Sequence, residues 1–442
     1  MSRAALYTLL SITLFNLLII AGFELAHDEA YYWIFSKNLA FSYFDHPPMM
    51  ALIIRAFSWL PQSEWSLRVG FVLLQSVGMG ILTTQMPKEN QVWGQLAMWS
   101  MPLLSTIGLF ALPDLPLFFF SVLYFWSLKK YLENDGIKNQ VLLAFIIAAL
   151  LYSKYHGILL IFFTLVAYPQ LLKKKSFYIV TVLSILLFLP HVLWQYDHDF
   201  KTLRYHFLER PKANLSIGRL FEYMGLQIVF AGVWMGFWPW WKTLQIKTVT
   251  PFERILKCSA LGVVIFFFIS AFSKRVEANW TLPAYVALSW LVFTKIEIKG
   301  KVKWGFVSAA CLTLLVRIAL CFSPETLKIK RLKEFHGWKT WSTMIDEKCG
   351  DEKILANTYQ IASKLSFYLN EEIPAMNYHS RKNQFDFWDW QKNMPESVCY
   401  LTDDPQFEGE NIETPDAKSL KIIRNQPLRE LITKKQNELD KI

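Results

Sequence analysis

The hydrophobic positions of the chain fall into long continuous stretches rather than into short alternating patterns. A helix needs about 20 apolar residues to cross roughly 30 Å of hydrocarbon. On this criterion the sequence predicts eleven membrane-spanning helices. They are residues 5–23, 64–85, 91–111, 114–132, 140–153, 157–172, 176–194, 219–241, 256–273, 280–296 and 302–322. The shorter apolar stretch 47–60 opens with two prolines and contains Arg55, so it predicts an interfacial helix.

The composition agrees with a membrane protein. The chain of 442 residues is 53 % apolar and 16 % aromatic, and only 19 % of it is charged. An average soluble protein carries about 25 % charged residues. These values exclude a disordered chain, a coiled coil and an ordinary soluble enzyme. The net charge of +10 does not indicate nucleic-acid binding, because membrane proteins keep an excess of basic residues in their cytoplasmic loops.

Lys and Arg residues are distributed unevenly between the two sets of loops that the spans define. With a cytoplasmic N-terminus, they are about threefold denser in the cytoplasmic segments than in the opposite ones. The bias therefore predicts a cytoplasmic N-terminus and places the residues after the last span outside the cytoplasm. If 47–60 crossed the membrane, every later loop would change sides and the bias would reverse.

The chain is expected to have two domains, a transmembrane domain over residues 1–322 and a small extracytoplasmic α/β domain over 323–442. In the second, hydrophobic periodicity predicts two strands and two helices. The expected strands are Lys353–Thr358 and Ser397–Thr402, and the expected helices are Tyr359–Leu369 and Leu428–Leu439. Cys349 and Cys399 both lie in this oxidising compartment, so the sequence leaves a disulfide between them open.

Unusual polar residues collect at the ends of four spans, all on the predicted extracytoplasmic face. Carboxylates at membrane depth are costly and are functional candidates by default. The candidates of the first outer loop, residues 24–63, are Asp28, Glu29, Tyr31, Tyr32, Asp45 and His46. The later span ends contribute Asp114, Lys154, Tyr155, His156, Lys274, Arg275, Glu277, Asn279 and Trp280.

These candidates also have structural explanations. Tyr31 and Tyr32 are typical of the aromatic belt at a membrane surface. Lys154 and Arg275 can extend to the interface, and Asp114 can cap the helix that follows it. The sequence has no paired His or Cys spacing, no Walker A loop and no G-x-G-x-x-G motif, so it indicates neither a metal site nor a nucleotide cofactor.

Acids and bases on one membrane face suit the transfer of a group from a phosphate-linked donor. A carboxylate can act as general base towards an acceptor, and Lys or Arg can neutralise a departing phosphate. Nucleotide sugars are absent outside the cytoplasm. The expected donor is therefore a lipid phosphate that enters from the bilayer.

The motifs that carry these residues resemble a known family. They are His27–Trp33, Tyr43–Pro48, Leu112–Asp114, Ser153–Gly157 and Glu277–Trp280, with Tyr359–Tyr368 and Asn383–Trp388 in the tail. The sequence resembles membrane glycosyltransferases of the C-type fold, in the family of dolichyl-phosphate-mannose protein mannosyltransferases and bacterial aminoarabinose transferases of lipid A. The resemblance extends over most of the chain.

The resemblance implies an inverting glycosyltransferase with a polyprenyl-phosphate sugar donor. It implies Asp28 as catalytic base, with Glu29 beside it, and we expect Asp114 as a nearby supporting carboxylate. The expected ligands of the donor phosphate are Lys154, Lys274 and Arg275. The expected substrate-binding residues are Tyr31, Tyr32, Asp45, His46, Tyr155, His156, Glu277, Asn279 and Trp280. No cofactor is firmly expected, and a divalent cation is left open.

The acceptor and two other classes of protein stay open. The chain is shorter than the eukaryotic mannosyltransferases and lacks their β-trefoil insert. We therefore expect lipid A, or another envelope glycolipid or glycan, as acceptor at the outer face of the bacterial inner membrane, with a protein acceptor as the alternative. A transporter or flippase with ion sites at Asp28 and Asp114 is less favoured, because the polar residues collect on one face and no internal repeat is visible. A non-catalytic envelope assembly protein is the third class.

Overall fold

Helices make up most of the computed structural model, which describes residues 1–204, 216–273, 275–322, 326, 329–378 and 382–439. Contacts between residues divide the chain into two units. The helical unit comprises Met1–Ile20, Ala40–Ser42 and His46–Ile318, and the α/β unit comprises Ala21–Leu39, Tyr43–Asp45 and Ala319–Ile442. The expected first loop thus contributes to both units. The division into a transmembrane and an extracytoplasmic domain stays a prediction.

The first sixteen described helices run from the N-terminus to the end of the helical unit. They are α1 (Arg3–Ile19), α2 (His27–Lys37), α3 (Met49–Ala56), α4 (Glu64–Thr84), α5 (Gln91–Trp99), α6 (Pro102–Thr106), α7 (Asp114–Glu133), α8 (Ile137–Ser153), α9 (Ile158–Ala167), α10 (Lys175–Asp197), α11 (Lys201–Arg204), α12 (Ile217–Ala231), α13 (Phe237–Gln245), α14 (Pro251–Ala271), α15 (Leu282–Lys295) and α16 (Lys301–Ala319). Helix α2 belongs to the α/β unit. The stretch 47–60, which is expected to lie at the membrane interface, contains α3, an eight-residue helix.

Every expected span overlaps a helix, but the count of eleven continuous spans is not confirmed. Among the described residues, α4, α10, α14 and α16 are long and apolar enough to cross a membrane. A fifth results if the bent pair Pro102–Leu109 and Asp114–Glu133 forms one span, with 118° between its halves. Helices α1, α8 and α9 are apolar but shorter.

Two expected spans, 91–111 and 219–241, are interrupted, and each interruption has a local cause. The first breaks between α5 and α6, where Pro102 occupies the first turn of the new helix and cannot donate a backbone hydrogen bond. The second breaks at Gly232, which ends α12 in a left-handed conformation with φ of 102°. A β-carbon at Gly232 would lie 2.5 Å from the carbonyl oxygen of Ser100. Only glycine fits this turn without strain.

Buried polar side chains connect helices inside the helical unit. The Asn16 amide of α1 donates to Gln75 Oε1 of α4 over 3.2 Å, and Gln75 Nε2 donates to the Leu104 carbonyl over 2.7 Å. The Arg317 guanidinium of α16 donates to Asn16 Oδ1. Such hydrogen bonds satisfy polar groups that would otherwise be costly in an apolar interior.

The α/β unit contains a four-stranded sheet. Its strands are β1 (Ile354–Ala356), β2 (Ser397–Thr402), β3 (Glu410–Glu413) and β4 (Ser419–Pro427), in the order β1-β2-β4-β3. The β1–β2 pair is parallel, and the other two pairs are antiparallel. The remaining helices are α17 (Trp338–Cys349), α18 (Tyr359–Leu369) and α19 (Leu428–Leu439). The core of this unit includes Leu355, Tyr400 and Leu431.

Several expectations for the tail are confirmed. The strand Ser397–Thr402 and the helices Tyr359–Leu369 and Leu428–Leu439 have the expected bounds, whereas the first strand is shorter than expected. Cys349 and Cys399 form a disulfide that joins the end of α17 to β2. Strands β3 and β4 and helix α17 were not expected, although Trp338, Trp341 and Ile345 of α17 are buried at helical spacing.

Candidate active site

The two adjacent acids at the start of α2 have different surroundings. Both lie in the first turn, where a carboxylate interacts favourably with the helix dipole. Glu29 is fully buried, and its carboxylate accepts a hydrogen bond of 2.9 Å from the Ala26 backbone N–H. Asp28 is exposed, and the Tyr359 hydroxyl donates to its Oδ1 over 3.3 Å. Glu29 therefore caps the start of the helix, while the Asp28 carboxylate is exposed.

Tyr31 and Asp45 form a buried pair within the α/β unit. The Tyr31 hydroxyl donates to Asp45 Oδ2 over 2.9 Å and accepts the backbone N–H of Gln384 over 2.6 Å. The Gln384 side chain in turn accepts the backbone N–H of Phe44 over 2.7 Å. These bonds hold the segment around Asp45 against α2. Tyr32 is also buried and packs against Phe35. Tyr31, Tyr32 and Asp45 are thus buried residues that hold the α/β unit together.

Helix α18 holds the segment that precedes α2. The Tyr368 hydroxyl accepts the Leu25 N–H over 3.0 Å. The buried Lys364 ammonium donates to the carbonyls of Leu25 and Glu334, the latter over 3.0 Å. Sequence reasoning noted Tyr359–Tyr368 only as a motif and gave Lys364 no role. A lysine on the same helix face as Ile361 and Phe367 was the available signal, because an unpaired buried ammonium is costly.

His27, the first residue of α2, lies beside Asp416. Its Nε2 is 3.6 Å from Asp416 Oδ2, and its ring contacts Trp338 edge to face. Burial lowers the pKa of His27, and the neighbouring carboxylate offsets only part of this effect. Burial acts to raise the pKa of Asp416, but hydrogen bonds from His27, Thr414 and Lys418 outweigh it and lower that pKa.

Asp114 and Lys154 form a buried ion pair in the helical unit. Lys154 Nζ is 2.9 Å from Asp114 Oδ1, and the two residues are 5 % and 6 % exposed. Asp114 is the first residue of α7, and Lys154 directly follows α8. Asp114 therefore has both the helix-start position and a cationic partner. Lys154 is not a side chain that extends to the membrane surface.

Tyr155 belongs to a polar network that the sequence analysis missed. Its hydroxyl lies 3.2 Å from His191 Nε2 and accepts from Gln195 Nε2 over 3.3 Å. The same amide donates to Ser42 Oγ over 3.0 Å. His191 and Gln195 lie four residues apart on one side of α10, at the end of the expected span 176–194. Polar residues with this spacing inside an apolar helix were a signal for the network.

The described candidates of residues 275–280, which precede α15, make two separate contacts. Arg275 Nε is 3.1 Å from Glu277 Oε1, and both side chains are largely exposed. The His156 ring lies 4.9 Å from the Trp280 ring. Asn279 is half-buried.

The two remaining candidates are His46 and Lys274. His46 is half-buried and belongs to the helical unit. Lys274 lies outside the described residues. Within the described part of the chain, no three His, Cys, Asp or Glu side chains are grouped so that they could hold a metal ion. The sequence candidates thus form two sets: Asp28, Glu29, Tyr31, Tyr32 and Asp45 in the α/β unit, and the other described ones in the helical unit.

Comparison with known proteins identifies related sequences and folds. Residues 45–194 match the family described as dolichyl-phosphate-mannose-protein mannosyltransferase. Lipid A galacturonosyltransferase RgtD of Rhizobium johnstonii is 22 % identical over 287 residues. The matched region is 61 % of this chain and spans 60 % of the length of RgtD.

Two solved structures of ArnT from Cupriavidus metallidurans share the fold. The apo form gives a TM-score of 0.71 at 13 % identity, and the form bound to undecaprenyl phosphate gives 0.67 at 12 %. Each comparison covers 96 % of this chain and 98 % of the other. The predicted resemblance is confirmed: the chain has the C-type fold of multi-pass membrane glycosyltransferases and resembles the mannosyltransferase and ArnT group.

Proposed function

We propose that the protein is an inverting glycosyltransferase that moves a sugar from a polyprenyl-phosphate donor to lipid A or another envelope glycolipid. The similarity to a lipid A galacturonosyltransferase and the fold shared with an undecaprenyl-phosphate-bound ArnT support this class of donor and acceptor. The observation that carries the proposal is the contrast between Asp28 and Glu29. The Glu29 carboxylate is buried at the helix start, and the Asp28 carboxylate is exposed.

Asp28 acts as the general base in this proposal. The acceptor hydroxyl gives its proton to the Asp28 carboxylate while its oxygen forms a bond to the anomeric carbon. The bond between that carbon and the phosphate oxygen breaks, and its electron pair leaves with the polyprenyl phosphate. Attack from the side opposite the leaving group inverts the anomeric configuration. The Tyr359 hydroxyl that donates to Asp28 orients the carboxylate.

Lys154 and Arg275 stabilise the departing phosphate. An ammonium has three N–H donors, and Asp114 accepts from one of them, so Lys154 keeps donors for phosphate oxygens. The buried Asp114 holds Lys154 in one position. Arg275 is exposed and shares its charge only with the exposed Glu277 among its described ion pairs. An exposed pair of this kind is weak, so a phosphate can compete for the guanidinium.

The reaction is proposed to occur at the outer face of the cytoplasmic membrane, with the α/β unit outside the cytoplasm. The Lys and Arg bias of the loops supports this orientation. The disulfide between Cys349 and Cys399 supports it independently, because disulfides persist in oxidising compartments.

The direct test compares two acid-to-amide variants in purified protein with a polyprenyl-phosphate sugar donor and lipid A. Asp28→Asn should fold and bind donor but lose transfer by at least about 10²-fold, because positioned acid–base groups contribute about 10²–10⁴. Glu29→Gln keeps an oxygen acceptor for the Ala26 N–H and should lose less. Near wild-type transfer by Asp28→Asn, together with an inactive Glu29→Gln, would contradict the proposal and identify Glu29 as the base.

A protein O-mannosyltransferase is the second candidate, since the family that matches residues 45–194 is described by that activity. It uses the same donor chemistry and differs in the acceptor. Supplying the purified protein with lipid A and with a mixture of envelope proteins distinguishes the two by which product gains mass. Movement of donor lipid across the bilayer without any glycosylated product would instead indicate a flippase.

A further inference from the structure

A pocket in the α/β unit lies apart from the residues that the proposed reaction uses. It has a volume of about 460 Å³, within the range of about 300–1,000 Å³ that is typical of small-ligand sites. Its walls include the aromatic side chains of Trp33, Phe385, Trp388 and Trp390. Two of the motifs singled out in the sequence, His27–Trp33 and Asn383–Trp388, therefore contribute to a site that the reaction leaves unexplained.

The pocket is on the opposite side of α2 from Asp28. Lys37, which also lines the pocket, follows Asp28 by nine residues. At about 100° per residue the two side chains point about 180° apart, and they are about 13 Å apart along the helix axis. Lys37 Nζ lies 4.7 Å from the centre of the Trp33 ring, which is on the same side. A ligand in this pocket is therefore not at the position where Asp28 accepts a proton.

The aromatic walls are held in place by other contacts. The Trp390 indole N–H donates to the Phe385 carbonyl over 3.1 Å. Trp388 packs edge to face on Phe385 with ring centres 5.3 Å apart, and Trp33 packs in the same way on Phe367 at 5.3 Å. Because the rings are already ordered, binding to them costs little conformational entropy.

The polar groups at the rim favour a sugar over a polyphosphate or a lipid chain as the ligand. Lys37 and Lys353 are matched in charge by Glu372 and Asp389, so the pocket has no excess of positive charge for a polyphosphate. Lys353 already pairs with Glu371 over 2.7 Å, and Asp389 pairs with Lys392. A lipid chain would form no hydrogen bonds with the polar lining groups, which also include Asn38 and Asn393. A pyranose has an apolar C–H face for an indole and hydroxyls in its plane for such a rim.

We propose that this pocket binds a pyranose unit of the acceptor glycan, beyond the sugar that receives the transferred residue. The identity of the ligand as acceptor rests on the proposed function. The pocket adds affinity for acceptors that carry an extended saccharide and leaves the chemical step unchanged. It therefore makes the enzyme selective for a glycolipid with attached core sugars over lipid A alone.

Direct binding is measured with the full-length protein in nanodiscs and with core oligosaccharide released from lipopolysaccharide as the probe. Saturation-transfer NMR should detect binding to the wild type. Trp388→Ala should weaken it at least about tenfold, and Lys37→Met, which keeps the aromatic walls, should weaken it by a smaller factor. Trp59→Ala is the matched control, because Trp59 is 76 % exposed in the helical unit and lines no part of the pocket. No binding to the wild type, or equal loss in Trp388→Ala and Trp59→Ala, refutes the proposal.

Kinetics then connect the pocket to the acceptor. For lipopolysaccharide with a core oligosaccharide, Trp388→Ala and Lys37→Met should raise KM and leave kcat unchanged. For lipid A alone, both constants should stay at wild-type values. An equal change with both acceptors would show a general folding defect and contradict the subsite. If the wild type binds the oligosaccharide but transfers sugar to neither acceptor, the proposed function fails and the saccharide site remains.

Discussion

At the scale of single residues, the buried pair of Asp114 and Lys154 combines a structural role with a proposed functional one. Removing one partner of a buried ion pair leaves an uncompensated charge, which costs about 3–5 kcal/mol. Replacing both partners with apolar residues avoids that charge and is often close to neutral. The two roles therefore separate in a double-variant experiment.

We expect Lys154→Met alone to destabilise the protein by about 3–5 kcal/mol, and the double variant Lys154→Met/Asp114→Leu to regain most of that loss. Thermal unfolding in nanodiscs gives the stabilities. Donor binding, measured with a polyprenyl-phosphate sugar, should be weakened in both variants because neither has the ammonium. If the double variant recovers donor binding along with stability, Lys154 has only a structural role.

His27 gives the α/β unit a pH dependence whose sign is fixed by its environment. Burial holds the pKa of folded His27 below the usual value of 6.5, so the folded state favours the neutral ring. The stabilisation is complete above about pH 6.5 and is lost as the pH falls through the folded pKa. Asp416 and Glu334 favour the protonated ring, whereas Lys364 and Lys418 oppose it.

Lowering the pH from 7 to 5 should therefore reduce the melting temperature more for the wild type than for His27→Gln, which stays neutral over this range. Melting curves of the two proteins at half-unit pH intervals measure the difference and remove the contribution of the other histidines. A wild-type melting temperature that rises relative to His27→Gln on acidification would mean that Asp416 dominates and raises the pKa of His27.

At the scale of secondary structure, the breaks in the apolar helices depend on single residues. Gly232 has a φ of 102°, and an added β-carbon would meet the Ser100 carbonyl oxygen at 2.5 Å. Gly225 lies within α12, and a β-carbon there meets no heavy atom within 4 Å. These two glycines of one segment provide a matched pair.

Gly232→Ala should destabilise the protein by at least about 1 kcal/mol, because alanine is strained at this φ and collides with backbone. Gly225→Ala should be neutral or stabilising by up to about 1 kcal/mol, since alanine favours a helix interior. Chemical denaturation of both variants in the same detergent tests the difference. Equal stabilities would mean that α12 continues without the turn at Gly232.

Hydrophobic patterning predicts the positions of the helices because apolar segments are the ones that avoid water. It does not predict where a special backbone conformation interrupts an apolar stretch, as at Gly232. Helix α2 was treated as a loop, although acids in its first turn and Lys37 in its last turn are typical helix-end signals. The short strand β3 lacks an alternating pattern, and in β4 the alternation is limited to Leu420 and Ile422, so their pairing is set by the finished sheet.

Sequence motifs identified most of the polar candidates but not their contacts. Asp114 and Lys154 are 40 residues apart, and Tyr359 is 331 residues from Asp28, so no local spacing connects these pairs. The difference between Asp28 and Glu29 likewise depends on burial, which local sequence does not determine. Resemblance to a family supplied the assignment of Asp28, and the geometry supplies a physical reason for it.

At the scale of the whole molecule, the disulfide and the charge of the loops support the same orientation, with the α/β unit outside the cytoplasm. The disulfide closes a loop between residues 50 apart, and constraining such a loop stabilises a fold by about 2–4 kcal/mol. This stabilisation is available only where thiols stay oxidised. The Lys and Arg bias independently predicts the same side for the residues after α16.

The last prediction tests this orientation in intact cells. A reporter that is active only in the cytoplasm should be active when fused after Lys174 or Lys301 and silent when fused after Asp197 or at the C-terminus. In membranes prepared without reductant, Cys349 and Cys399 should resist a thiol reagent until the disulfide is reduced. Cys311, which is an exposed free cysteine, serves as the labelling control in denaturing detergent. An active C-terminal reporter together with reactive Cys349 and Cys399 would place the α/β unit in the cytoplasm. Asp28, as part of that unit, would then be excluded as the base of an outer-face transferase.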